Sequence, residues 1–306
     1  MNRAFLVAAC LAVPVASASA APLVYEPFNY TADQRVLGQS NLNTGTSWLL
    51  AASTAGAAGD TSAINVGSGS LATPAGVPVG AGNSATITGN GNHSGAANRL
   101  AFNPEGTSVT SGSVYYSLAL RIDSLEGSNN TVGGFFIGLN NTGNSATTVN
   151  PGAVAARIQA RIDPNDATKY NLGIVRNRPA TGDTGTGPVP WSGPLTVGDT
   201  HFLVASIDIV DGAQNDVARM WINPGDLGQA SAPAATLTDD TVGIGSTGTD
   251  IGIASIILRQ SPAPFLTLDE IRIGTEWADV TPVPEPTTLA LLGLGATGLL
   301  ARRRRE

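Results

Sequence analysis

The sequence predicts an all-β body, a single large β-sandwich, and three observations carry that prediction. Apolar and polar residues alternate with period two in segment after segment between about Leu23 and Thr281, the pattern of strands with one buried face. The 37 glycines and 19 prolines punctuate those segments, and both residue types favour turns over helix interiors. No segment of the body shows helical periodicity and no unit of fixed length recurs, which argues against helical bundles and propellers. An all-β domain can run to about 250 residues as one unit, so a body of this length predicts roughly 10–14 strands.

The clearest strand runs from Ser113 to Asp123. Val114, Tyr116, Leu118, Leu120 and Ile122 point one way, and Tyr115, Ser117, Ala119, Arg121 and Asp123 the other. Ala156, Ile158, Ala160 and Ile162 alternate in the same manner with Arg157, Gln159, Arg161 and Asp163. Further strands are expected at Thr131–Leu139, Lys169–Arg176, His201–Val210, Val217–Ile222, Ile251–Arg259 and Phe265–Ile273. Turn formers such as Asp163-Pro164-Asn165-Asp166 and Asp211-Gly212-Ala213-Gln214-Asn215-Asp216 separate them. The Gly-, Ala-, Ser-, Thr- and Asn-rich stretch from Ser40 to Asn98 reads as long loops and short edge strands.

Only 13% of residues are charged, about half the usual share. Once Arg3, Arg302–Arg305 and Glu306 are set aside, acids outnumber bases about two to one, a balance that repels phosphate backbones and excludes nucleic acid as a partner. Lys169 is the one lysine and Cys10 the one cysteine. Removal of a leader containing Cys10 leaves no thiol for a disulfide, a zinc site or a nucleophile.

Two terminal segments read as addresses. Arg3, the apolar run Phe5–Val15 and the small residues Ala18-Ser19-Ala20 form a secretory signal over residues 1–20, with cleavage between Ala20 and Ala21. Lipoprotein processing at Val7-Ala8-Ala9-Cys10 is the alternative, with a shorter apolar stretch than that machinery needs. A body over residues 21–281 follows, then a tail over 282–306. In the tail, Val283-Pro284-Glu285-Pro286 is stiffened by its prolines. Residues 287–301 carry no charge, and Arg302, Arg303, Arg304 and Arg305 form a cytoplasmic stop. At ~1.5 Å per residue, 287–301 reach about 22 Å as a helix, short of the ~30 Å hydrocarbon core. The expectation is a short hydrophobic helix that enters the membrane marginally.

This tail resembles the PEP-CTERM sorting signal. The resemblance implies recognition by the membrane transpeptidase exosortase after export by the general secretion machinery. It also implies an inner-membrane intermediate, cleavage near Pro284-Glu285-Pro286, and delivery to the cell surface or extracellular matrix of a Gram-negative bacterium that makes exopolysaccharide. The body has shorter points of likeness: the opening Tyr25-Glu26-Pro27-Phe28-Asn29-Tyr30, the hairpin ending Met220-Trp221-Ile222-Asn223-Pro224, and the closing Leu268–Trp277. These are similar to the laminin-G-like, concanavalin-type jelly rolls found ahead of such tails, which implies a fold and not a function.

Chemistry is sparse. His93 and His201 are the only imidazoles, so a His-rich metal site is impossible and no nucleophile elbow accompanies either. His201 reads as a surface or capping residue. Gly243-Ile244-Gly245-Ser246-Thr247-Gly248 fits the dinucleotide spacing, but a strand is expected after it where that motif needs a helix. Asp269 and Glu270 are adjacent on an expected strand, so they should face opposite ways and fail as a glycosidase pair. No cofactor is expected. Asp208, Asp211 and Asp216 are calcium candidates, with hairpin solvation as the simpler role. Of Trp48, Trp191, Trp221 and Trp277, Trp191 sits in a Gly/Pro loop and is the candidate glycan contact. The expected role is a non-catalytic surface or matrix protein associated with exopolysaccharide, with a carbohydrate-binding module as the alternative.

Overall fold

The computed structural model describes residues 21–53, 63–88, 96–128, 133–145, 154–178, 189–212, 215–240, 252–260 and 264–283. Among them are fifteen strands and one helical turn. The first five strands are β1 Val24–Glu26, β2 Leu49–Ser53, β3 Asn65–Gly67, β4 Ser84–Ile87 and β5 Ala96–Ala101. The long central strands are β6 Gly112–Ser124, β7 Gly134–Asn140, β8 Val154–Ile162 and β9 Lys169–Arg178. After β10 Leu195–Thr196 come β11 Thr200–Ile209, β12 Val217–Ile222, β13 Leu237–Asp239, β14 Ser255–Arg259 and β15 Phe265–Gly274, then α1 Trp277–Val280.

Two antiparallel sheets form the sandwich. One runs β13-β12-β11-β6-β15-β4-β3, with β1 also paired to β15; the other runs β10-β9-β8-β7-β14-β5-β2. The core is the inner faces of both, and the alternation of β6 shows why it forms: Val114, Tyr116, Leu118, Leu120 and Ile122 are fully buried against Ile158, Leu172, Ile256 and their neighbours. Burial of a large aliphatic side chain stabilises by roughly 1.5–3 kcal/mol, so this seam is the main favourable term.

All eight expected strands are present, with ends moved by a few residues. The region 40–98 departs from expectation. It contributes β2, β3, β4 and the start of β5, and both β4 and β5 lie inside their sheets rather than at an edge. Their small residues give weak periodicity; β4 takes its register from the longer β15 and β5 from pairing with β14. Helix α1 is a single turn, too short to show a period.

The chain between β1 and β2 is organised by one carboxylate. Glu26, 1% exposed, accepts hydrogen bonds from the Phe28 amide (2.7 Å), the Tyr30 hydroxyl (2.5 Å), the Asn41 side-chain amide (3.1 Å) and the Trp48 indole (2.9 Å). Asn41 in turn accepts from the amides of Asn43 and Thr44 and shapes the turn that follows. Burial and the Glu26 charge push the Tyr30 phenol far above its ordinary range. Phe28, at φ 49°, stacks on Trp48 with centroids 6.1 Å apart. Replacing Glu26 by Ala strands four buried donors, and the expected loss is about 4 kcal/mol. Chemical denaturation followed by Trp fluorescence measures it, and a loss under ~1 kcal/mol contradicts this account.

Candidate functional site

Three places in the described residues gather chemistry-bearing groups. The first is a bulge in β15. That strand is flanked on one side by two short strands end to end: β4 pairs with Leu266–Leu268 and β1 with Ile271–Ile273. Asp269 and Glu270 fall at the junction, where the register against β6 shifts and Glu270 takes φ 55°. Adjacent residues of a regular strand face opposite ways. Here the bulge turns both carboxylates toward the segment between β3 and β4, which corrects the sequence expectation. Asp269 accepts from the Ser70 hydroxyl (2.5 Å) and the Leu71 amide (2.9 Å). Glu270 accepts from the Ala81 amide (2.9 Å), the Tyr25 hydroxyl (3.1 Å) and Arg272 (2.8 Å). These contacts all run to loop or strand groups of the protein itself, and the pair acts as a clasp on the 69–82 segment.

The second place is the outer face of the β10-to-β2 sheet. Arg157 and Arg259 lie over the Phe135 ring at 5.0 and 4.5 Å from its centroid, and Arg99 holds the carbonyls of Gly143 and Ser145. Trp191 packs against Gly173 and Gly133, where a Cβ would come within 2.8 Å of its ring; only glycine lets the indole sit this close. The Arg161 guanidinium lies 4.2 Å from the Trp191 centroid. Trp191 is thus half-buried, with a protein cation on its ring.

Elsewhere the sequence candidates are dispersed. Asp208 pairs with Arg219 and accepts from Ser113, Asp211 is exposed, and Asp216 is buried and accepts the Val210 amide. Among the described residues no group of three His, Cys, Asp or Glu is placed to hold a metal. His201 is buried rather than at the surface, edge-on to Tyr170, with Nδ1 3.0 Å from the Asn223 amide nitrogen; burial lowers its pKa. Trp48, Trp221 and Trp277 are core residues. His93 and the glycine motif 243–248 lie outside the described residues.

The last place is the end of the fold. Trp277 packs on Trp221 at 5.0 Å between centroids and donates to the Asp226 carbonyl. The Asp279 carboxylate accepts the amides of Thr275 and Glu276, closing the turn that starts α1. Thr281, fully buried, donates to the Trp277 carbonyl and accepts the Gly228 amide. Two residues on, Val283 is 49% exposed. Ala20, Pro284, Glu285, Pro286, the segment 287–301 and Arg302–Arg305 lie outside the described residues. Among the described residues no helix is long and apolar enough to cross a membrane.

The molecule is a two-sheet β-sandwich, and among the described residues the last fully buried one, Thr281, abuts the tail. Residues 282–305 match the PEP-CTERM protein-sorting motif, which implies a secreted surface protein sorted by exosortase through a membrane-associated step. No curated protein matches the chain. Solved structures with a similar arrangement include alginate lyase Aly36B (16% identity, 63% of this chain and 81% of that one, TM-score 0.39). Another is the Emp46p carbohydrate recognition domain in its metal-free form (11%, 63% and 82%, TM-score 0.34). A third is Trypanosoma rangeli sialidase with 2,3-difluorosialic acid (9%, 78% and 32%, TM-score 0.35). Values this low carry no activity or ligand across to this chain.

The clasp has a pH signature. Burial pushes Asp269 from 3.8 up to about 7, and the Glu270 charge adds to the rise against three donated hydrogen bonds. The folded state keeps a proton that the unfolded chain releases near its ordinary value, so stability falls as pH rises from about 4 to about 7 and levels off above. In Asp269→Asn this slope should flatten, as read from denaturant midpoints across that range.

Proposed function

We propose that the chain is a non-catalytic structural protein of the cell surface or extracellular matrix, exported by the general secretion machinery, sorted by exosortase and associated with exopolysaccharide. The observation that carries the reading is the sorting motif at 282–305, placed directly after the buried Thr281 that ends the described fold. The laminin-G-like likeness of the body belongs to the same proposal, as do the inner-membrane intermediate and the cleavages at Ala20/Ala21 and near Pro284. Absence of catalysis is supported by the carboxylates: Asp269 and Glu270, the closest acidic neighbours in sequence on β15, are both committed to holding loop and strand. Intact-mass analysis of protein from the native surface should show both terminal segments removed. Recovery of the full 306-residue chain at its normal destination would overturn the sorting part. Incubation of the body with a polysaccharide panel should release no oligosaccharides.

A second reading, a carbohydrate-binding module, is favoured by the Arg161–Trp191 pair on an open loop. A half-exposed indole with an adjacent guanidinium suits a sugar face and an acidic substituent. Affinity electrophoresis with acidic and neutral polysaccharides tests it: retardation abolished in Trp191→Ala supports this reading over the first.

A further inference from the structure

At the start of the body the chain forms a cleft of about 270 Å³, walled by Tyr25, Pro27, Asn29, Tyr30, Leu42 and Asn43. Both phenols are fixed from behind. The Tyr30 hydroxyl donates to Glu26 at 2.5 Å, and the Tyr25 hydroxyl donates to Glu270 at 3.1 Å while the Arg272 guanidinium lies 4.4 Å from its ring centroid. Burial, then the Glu270 charge, push the Tyr25 phenol up to about 12. The hydroxyls are therefore committed to buried carboxylates, and the two rings offer carbon surface to the cleft. The rim carries Asn29 and Asn43, both exposed; the Asn43 oxygen accepts the Tyr25 amide (2.9 Å), which fixes its NH2 group as a donor, and Asn29 offers both donor and acceptor. Leu42, 92% exposed, adds an apolar edge.

From this geometry we propose that the cleft is a binding site for one neutral sugar ring, a hexopyranose unit of a larger glycan. Four features select that class. Its volume is below that of drug-sized sites and suits a single ring. Rigid aromatic and aliphatic walls match the apolar face of a pyranose. Side-chain amides match its hydroxyls. Among the described residues no charged group lines the cleft except Glu26, whose oxygens are occupied by four internal donors, so an anionic or cationic ring finds no counter-charge there. The locked tyrosines mean that little order is lost on binding. This extends the glycan-binding reading to a site other than Trp191 and does not depend on that residue.

The test is amide NMR of the secreted body titrated with methyl glycosides of glucose, mannose and galactose, and with methyl glucuronide as the charged control. At least one neutral glycoside should bind saturably with a Kd of roughly 1–10 mM, moving the amides of residues 25–30 and 40–43. The rim variant Asn29→Ala/Leu42→Ala, both sites exposed, should keep the wild-type unfolding midpoint and weaken that binding by about tenfold. No saturable shift for any neutral glycoside up to about 100 mM, equal affinity in the folded rim variant, or shifts centred on Trp191 would each overturn the proposal. The last of these would leave the glycan-binding reading standing without this cleft.

Discussion

A buried carboxylate without a counter-ion must be met by donors on every side or it unfolds what surrounds it. Glu26 meets that demand with four neutral donors drawn from its own strand end, from the turn beyond it and from the indole of Trp48. The cost of desolvating the charge therefore becomes a constraint on chain path, fixing how residues 26 to 48 wrap over the end of the sandwich. Asp269, and Glu270 with the Arg272 guanidinium beside it, likewise hold the 69–82 segment. In a chain with so few charges, the buried ones define where loops go, while the sheets are held by ordinary apolar burial.

Much of the fold was legible because eight strands are long enough for alternation to be unambiguous. Gly112–Ser124 needs only its own residues to declare a face. Strands β3 and β4, three and four residues of mostly small side chains, contain no such statement; β4 takes its register from β15, and β3 from β4. The bulge at Glu270 was equally hidden, because nothing in Leu-Asp-Glu-Ile marks a positive φ, and the assumption of a regular strand sent the two carboxylates to opposite sides.

The site residues divide along similar lines. The Gly- and Pro-rich residues around Trp191 read as a loop, but its bridge to Gly173 and its contact with Arg161 depend on which strands lie beneath, a matter of topology. In the sequence the tyrosines at 25 and 30 stand out only as part of an opening motif. Their significance rests on partners 245 and 4 residues away, the first of which no local reading could supply. A buried Glu flanked by two Tyr and followed by an Asn-rich turn is a signal that could be sought in other chains.

The closing turn also sets a length scale. Thr281 is locked into the body by its own hydroxyl and by Gly228, so the peptide that reaches the tail's proline elbow is paid out from there. Three residues of extended chain span at most about 11 Å, less than the diameter of a single helix with its side chains. Any enzyme that grips Pro284-Glu285-Pro286 must therefore work in the shadow of the folded sandwich. Its mouth has to accommodate the surface around α1, or the Trp277–Thr281 turn has to peel away first.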